Sequence, residues 1–170
     1  MMKLISFAIL LIGLTGCWPS SVSFQDTGSM PEEWKTFSVK TLENDAPNTP
    51  ISYAALLSEK LKDGVQNNTR LLLNPVVGKG EISIEGKISS YTIIPVAIQE
   101  GDNSAKNRLT ISVQFTIFIT ELEEDKMTLT STRFIDYDSD TDLASQEATL
   151  LDEISTQIVQ DVINKLLSNW

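Results

Sequence analysis

The chain has 170 residues, with 13 lysines and arginines against 23 aspartates and glutamates, one cysteine and no histidine. A formal net charge of −10 speaks against a nucleic-acid partner and against a basic patch that grips anionic headgroups. One cysteine excludes an internal disulfide, and the lack of histidine excludes a Ser/His/Asp triad, a Cys/His pair and His-ligated zinc together.

Met1, Met2 and Lys3 form a short basic start, followed by an apolar run from Leu4 to Leu14. The run has the layout of a secretory signal and is too short to cross a bilayer comfortably. Leu14-Thr15-Gly16-Cys17 reads as a lipobox, with small residues directly before the lone cysteine. Residues 1–16 are therefore expected to be a lipoprotein signal peptide, and Cys17 to be the lipidated first residue of the mature chain. Several acyl chains on that residue would anchor stably where one chain is marginal. Residues 17–31 are rich in Ser, Gly and Pro and read as a lipidated tether, with Phe24 as the large apolar exception; residues 32–170 are expected to form one domain.

Trp34 to Thr41 carries Trp34, Phe37 and Val39 in a short strand-like run, and Glu43 to Asn48 reads as a turn. Thr49-Pro50 has the form of an N-cap followed by proline at the first helical position. The helix it starts would place Ile51, Ala54, Ala55 and Leu61 on one face, widened by Tyr53, Leu56 and Leu57, with Gly64 set to end it.

The period then changes from 3.6 to 2. Thr69 to Asn74 is a short apolar strand. Glu81 to Ile98 alternates at Ile82, Ile84 and Ile88 and switches parity at Tyr91 and Ile93, which predicts a bulge near Ser89 and Ser90. Pro95 assigns the end of that strand to an edge. After a polar connection from Gly101 to Asn107, every second residue from Leu109 to Ile119 is apolar, the pattern of a half-buried strand. Glu121 to Lys126 is a charged turn, and Met127 to Tyr137 the return strand of a hairpin.

A long helix is predicted from Leu143 to Trp170, with a stripe of Leu143, Leu150, Leu151, Ile154, Ile158, Val162 and Leu166 broadened by Val159, Ile163 and Leu167. Two helices flanking a run of strands imply an α+β fold: two helices packed on one face of a mostly antiparallel four- to five-stranded sheet.

Asp136, Asp138, Asp140, Asp142 and Glu147 mimic the oxygen spacing of a calcium loop. Thr141 stands where that loop needs glycine, and a strand precedes the series where a helix should be. Loop and helix-cap acids explain it better, and no metal or other cofactor is assigned. Gly78-Lys79-Gly80 lacks a following helix and is a turn, not a phosphate loop. Lys79 with Lys87, and Lys106 with Arg108, are small basic clusters; Phe118 interrupts the polar side of its strand and is either a contact residue or covered. No residue set marks a catalytic centre.

The order of short motifs carries a resemblance. Cys17 with Val22-Ser23-Phe24, Lys35-Thr36 through Val39, and Asn48-Thr49-Pro50-Ile51 come first. Thr69-Arg70-Leu71, Gly86-Lys87-Ile88 through Tyr91, Pro95-Val96-Ala97 and Asn107 through Val113 follow. Asp136-Tyr137-Asp138, Glu153-Ile154 through Asp161-Val162 and Asn169-Trp170 close the series. In this order the chain resembles a divergent form of the LptE family of lipopolysaccharide-assembly lipoproteins.

The resemblance implies two helices on a mainly four-stranded sheet and no enzymatic activity. It also implies a place at the periplasmic face of the outer membrane, held by the lipid anchor, and a role as the plug and assembly partner of an LptD-type β-barrel that moves lipopolysaccharide to the cell surface. Trp18 stands where an aspartate would retain the lipoprotein in the inner membrane. If lipopolysaccharide is bound directly, its phosphates implicate Arg70, Lys79, Lys87, Lys106 and Arg108, although the chain's net charge opposes them at long range. Competing readings are an unrelated periplasmic lipoprotein that binds a small ligand or peptidoglycan, and a carboxylate enzyme or calcium module built on the aspartates.

Overall fold

A computed structural model of the chain describes residues 30–96, 105–119 and 126–168. The expected signal segment, Cys17, the tether up to residue 29, residues 101–104 of the polar connection and residues 121–125 of the charged turn lie outside the described residues.

In chain order the elements are β1 (Thr36–Val39), β2 (Glu43–Asn44), α1 (Tyr53–Asn68), β3 (Leu72–Leu73), β4 (Ile82–Val96), β5 (Lys106–Ile119), β6 (Lys126–Asp138) and α2 (Leu143–Leu167). They form one six-stranded sheet in the order β3-β1-β4-β5-β6, with β2 also on β4. The α+β class and the two helices stand. The expected four- to five-stranded, mostly antiparallel sheet is corrected, because β1 pairs with both β3 and β4 in parallel and β2 pairs with β4 in parallel. Two-residue strands such as β2 and β3 have no period to detect, and parallel pairing is a property of the crossover, not of either strand.

β4, β5 and β6 are the antiparallel meander that the alternation predicts. The pairing of β4 with β5 slips between Ile88 and Ser90, where the parity switch falls. An extra residue there returns Tyr91 to the same face as Ile84 and Ile88. Pro95 is tolerated because β1 and β2 pair only with Ile82–Ile84 and with Lys87 and Ile88. Beyond those residues β4 has β5 on one side alone, so the missing N–H leaves no gap in a ladder.

Helix α1 differs from its sequence reading at both ends. The cap position is Ser52, and the Thr49 hydroxyl donates to the Ala46 carbonyl at 3.0 Å, outside the helix. Tyr53, Ala54, Leu57, Ser58, Leu61 and Val65 are the buried set, whereas Ile51, Ala55 and Leu56 are exposed. The rotation is possible because Ser58 is satisfied inside: its Oγ donates to the Ala54 carbonyl and accepts from Leu42 N–H. Gly64 does not end the helix. Thr69 does, with its N–H and hydroxyl both donating to the Val65 carbonyl. A Cβ at Gly64 would overlap Val159 Cγ1 of α2, so the glycine marks the place where the helices touch.

Lys60 meets Asp152, and Gly64 meets Val159 and Ile163, so the helices run in the same direction. Both lie on the face that receives Leu109, Ile111, Val113, Phe115 and Ile117 from β5, all buried. Ile154, Ile158, Val162 and Leu166 enter the same core from α2, each without exposed surface. Each such side chain contributes about 1.5–3 kcal/mol of burial.

Candidate functional site

Among the described residues, no helix lies over the opposite face of the sheet. Alternation sends Thr110, Ser112, Gln114 and Thr116 of β5 to this side, with Thr128, Thr130 and Thr132 of β6 beside them. The Ser112 and Thr132 hydroxyls lie 2.9 Å apart across the ladder. Three apolar side chains interrupt this hydroxyl-rich surface: Phe118 is 38 % exposed, and Ile94 and Phe134 are each 52 % exposed. Phe118 is thus a surface residue and not the start of a second core.

The five cations singled out by the sequence are not gathered in one place. Lys87, Lys106 and Arg108 share the open face, Lys87 opposite Gln114 and Lys106 opposite Val96. Arg70, just before β3, and Lys79, whose neighbour Gly78 donates to Ser38 Oγ beside Ser83, lie at the opposite end of β4, at about 3.3 Å per residue some 40 Å from Lys106. Arg70 is committed locally. Its guanidinium donates to the Met30 carbonyl at 2.8 Å and to that of Pro31, fastening the start of the domain to the end of α1. Lys79 is exposed in the turn after β3, between Gly78 and Gly80, both with positive φ. Lys87 reaches Asp45 at 3.3 Å.

Arg108 has the most elaborate setting. Nε and Nη2 bind the two carboxylate oxygens of Asp136 at 2.7 and 2.8 Å, and the guanidinium carbon stands 4.0 Å from the Phe134 ring centroid. These bonds hold the Asp136 carboxyl below its ordinary range and raise Arg108. The acidic series is therefore split. Asp136 belongs to a strand and to Arg108, Glu147 accepts from the Tyr91 hydroxyl at 2.8 Å, and Asp142 occupies the cap position of α2 without a side-chain cap bond. The reading as loop and helix-cap acids holds for the position of Asp140, in the turn, and of Asp142, whereas Asp136 and Asp138 belong to β6.

Two buried phenols meet the helix layer, Tyr53 at the start of α1 and Tyr91 on β4. Burial pushes Tyr53 up to about 12 against the opposing hydrogen bond with Ser155, and burial with the Glu147 carboxylate raises Tyr91. Both stay protonated at neutral pH and serve as hydrogen-bonded core groups. Above them a cleft of about 490 Å³ opens between α1 and α2, with Leu56, Ala148 and Leu151 among its walls.

Residues 34–166 match the family model named LptE and described as lipopolysaccharide-assembly. The chain belongs to the LptE family. Its fold is similar to that of the hypothetical protein CT253 from Chlamydia trachomatis, with a TM-score of 0.55 at 11 % identity over 80 % of this chain and 99 % of that one. A putative neuraminyllactose-binding hemagglutinin homolog from Helicobacter pylori gives 0.55 at 7 % identity over 86 % and 91 %. Protein XCC0632 from Xanthomonas campestris gives 0.53 at 10 % identity over 86 % and 91 %. At these identities the likeness is one of fold alone. No curated protein matches the sequence.

One polar cluster of this LptE-family chain escaped the sequence reading. Arg133 lies on the helix side of β6, between Ser131 and Ile135, and both Arg133 and Ser131 donate to Asp161 of α2. A charge on the apolar parity of a strand was the available signal. Burial pushes the Asp161 carboxyl up, but the bonds from Arg133 and Ser131 overcome it and hold the group below its ordinary 3.8. The cluster's contribution is therefore present above that value and lost as pH falls through the lower folded value. With Arg133 42 % exposed, solvent screening limits the cluster to about 1 kcal/mol at neutral pH. Asp161→Asn should lower the melting midpoint by about 3 °C at pH 7. The gap from the wild type should narrow below pH 4. A gap that widens in acid would contradict the assignment.

Proposed function

We propose that this chain is a lipid-anchored subunit at the periplasmic face of the outer membrane that plugs an LptD-type β-barrel, helps it assemble and takes part in lipopolysaccharide transport to the cell surface. The family match over residues 34–166 carries the reading. The lipobox at Leu14 to Cys17 supports the anchor, and among the described residues no helix is long and apolar enough to cross a membrane. The hydroxyl-rich face of the sheet suits a wet lumen, where a protein interface can bury 1,200 Å² or more by roughly equal parts of polar and apolar contact.

Direct contact with lipopolysaccharide is the narrower part of the proposal. Lys106 and Arg108 are the pair best placed to meet a phosphate together; Lys87, opposite Gln114, stands about 20 Å along the strand from Arg108 and would need a separate contact, as would Arg70 and Lys79. A phosphate at Arg108 competes with Asp136 for the same two N–H groups.

A tag at Trp170 and a pull-down from detergent-solubilised outer membranes tests the partner. A barrel of LptD size is expected in the eluate, with surface lipopolysaccharide reduced on depletion. Cys17→Ser should abolish incorporation of a clickable fatty acid and leave unprocessed precursor. Recovery of the lipoprotein alone, with normal surface lipopolysaccharide, would favour a periplasmic lipoprotein that binds a small ligand in the inter-helix cleft.

A further inference from the structure

The two edges of the sheet are built differently. One ends in two-residue strands. The other is β6, whose thirteen residues from Lys126 to Asp138 pair without a register shift to β5 and, among the described residues, to nothing on the outer side. An edge of this length leaves every second N–H and C=O turned outward, and natural edges are normally blunted by proline, a bulge or unpaired inward charges. β6 contains no proline or glycine. Its inward charge, Arg133, is already neutralised by Asp161. Between this edge and α2 runs an open trough of about 570 Å³, flanked by Leu129 and Arg133 on the strand and Asn164 and Lys165 on the helix. Met127, Leu129 and Ile135 pack on the core but are only half-buried, so the apolar layer continues to the edge and stops there.

The sequence of β6 is complementary to itself when reversed about Thr132. In that antiparallel register Lys126 faces Asp138, Met127 faces Tyr137, Leu129 faces Ile135 and Thr130 faces Phe134. Lys126 meets Asp138 on the open face and apolar meets apolar at two pairs on the helix face, while Thr128 faces Asp136 and Ser131 faces Arg133. Shifting the centre to Thr130 sets Arg133 against Met127, and shifting it to Phe134 sets Arg133 against Ile135. Thr132 is the centre that matches charge and length together.

We propose that the β6 edge is an isologous interface on which a second copy of this chain adds its own β6 antiparallel, centred on Thr132, to give one sheet continuous across a two-fold axis. The pairing satisfies about a dozen outward backbone groups and closes the apolar layer over Leu129 and Ile135. It goes beyond the plug reading. A single copy in a barrel leaves its twin behind, so self-pairing is the state of the lipoprotein outside the barrel.

The test uses the full-length acylated lipoprotein purified in detergent without the barrel, so its failure does not bear on the plug. Sedimentation should show a dimer at micromolar concentration. Thr132→Lys, an exposed change that sets two ammonium groups face to face, should weaken it by about tenfold or more, with an unchanged circular-dichroism melt as the check on folding. Lys126→Asp should weaken the dimer and the added Asp138→Lys restore it. Thr132→Cys should form an intermolecular disulfide, since opposite Cα atoms in a ladder stand about 4.5–5.5 Å apart, while Gln114→Cys on the middle strand should not. A monomer at 100 µM protein, a dimer indifferent to Thr132→Lys, or a Thr132→Cys cross-link found only to a different protein would each overturn the proposal.

Discussion

Ile158→Asp is expected to unfold the domain at physiological temperature. Ile158 has no exposed surface and lies in the stripe with Ile154 and Val162 that α2 presses onto the sheet. The substitution removes an apolar side chain worth about 2–5 kcal/mol in place and leaves a carboxyl among Leu and Ile side chains. Keeping it ionised and unpaired there costs a further 3–5 kcal/mol. The sum matches the whole stability of a typical domain, about 5–15 kcal/mol. A melt of the purified lipoprotein should show no cooperative transition above 30 °C, or no soluble protein at all. Ile158→Val, which keeps shape and polarity, should cost only about 1 kcal/mol. A midpoint within a few degrees of wild type for Ile158→Asp would mean that this helix does not pack by this face.

Gly64→Leu should be the next most damaging change, through overpacking. The glycine sits mid-helix, where its low propensity costs α1 about 1 kcal/mol against alanine. It is kept because Val159 Cγ1 fills the space that a Cβ would take, with Ile163 Cδ1 3.7 Å away. Valine on a helix has one strongly preferred rotamer, so Val159 cannot swing aside without strain. A leucine must therefore push the helices apart, at about 3 kcal/mol, or roughly 6–12 °C in a domain of this size. Gly64→Ala should fall much lower, its overlap partly offset by helix propensity. Adding Val159→Ala should recover about 1–2 kcal/mol of the leucine variant's loss, a coupling that a double-mutant cycle measures directly. Equal stability of Gly64→Leu and wild type would dissolve the proposed helix contact.

The glycine also shows where reading by residue type stops. A glycine after an apolar stripe signals a helix end and close approach of another backbone equally well, and which applies depends on a helix ninety-five residues later. The same limit moved Ile51 and Leu56 out of the expected core. The helical period reports that an apolar face exists, but Ser58 joins it because its hydroxyl donates to the Ala54 carbonyl and accepts from Leu42 N–H, a partner sixteen residues away.

The candidate site was legible in a similarly partial way. The open face follows from alternation in β5, and Arg108 was marked by its motif. Its grip on Asp136 and its place over Phe134 come from the register of β6, which sets residues twenty-eight apart in sequence side by side. The structural part of Arg70 was not legible: nothing local to it says that the Met30 and Pro31 carbonyls will be its partners.

By itself the sequence determined the class of protein, the meander with its bulge at Ser89, the edge position of Pro95 and the inward stripe of α2. Each of these rests on a period or a backbone restriction that a few neighbouring residues impose on one another. The tertiary structure alone decided the parallel pairing of β1, β2 and β3, the helix contact at Gly64, the spread of the five cations along the sheet and, among the described residues, the open edge at β6. Those depend on which segments meet across the chain, and a two-residue strand or a single charged side chain carries no local energy large enough to announce its partner.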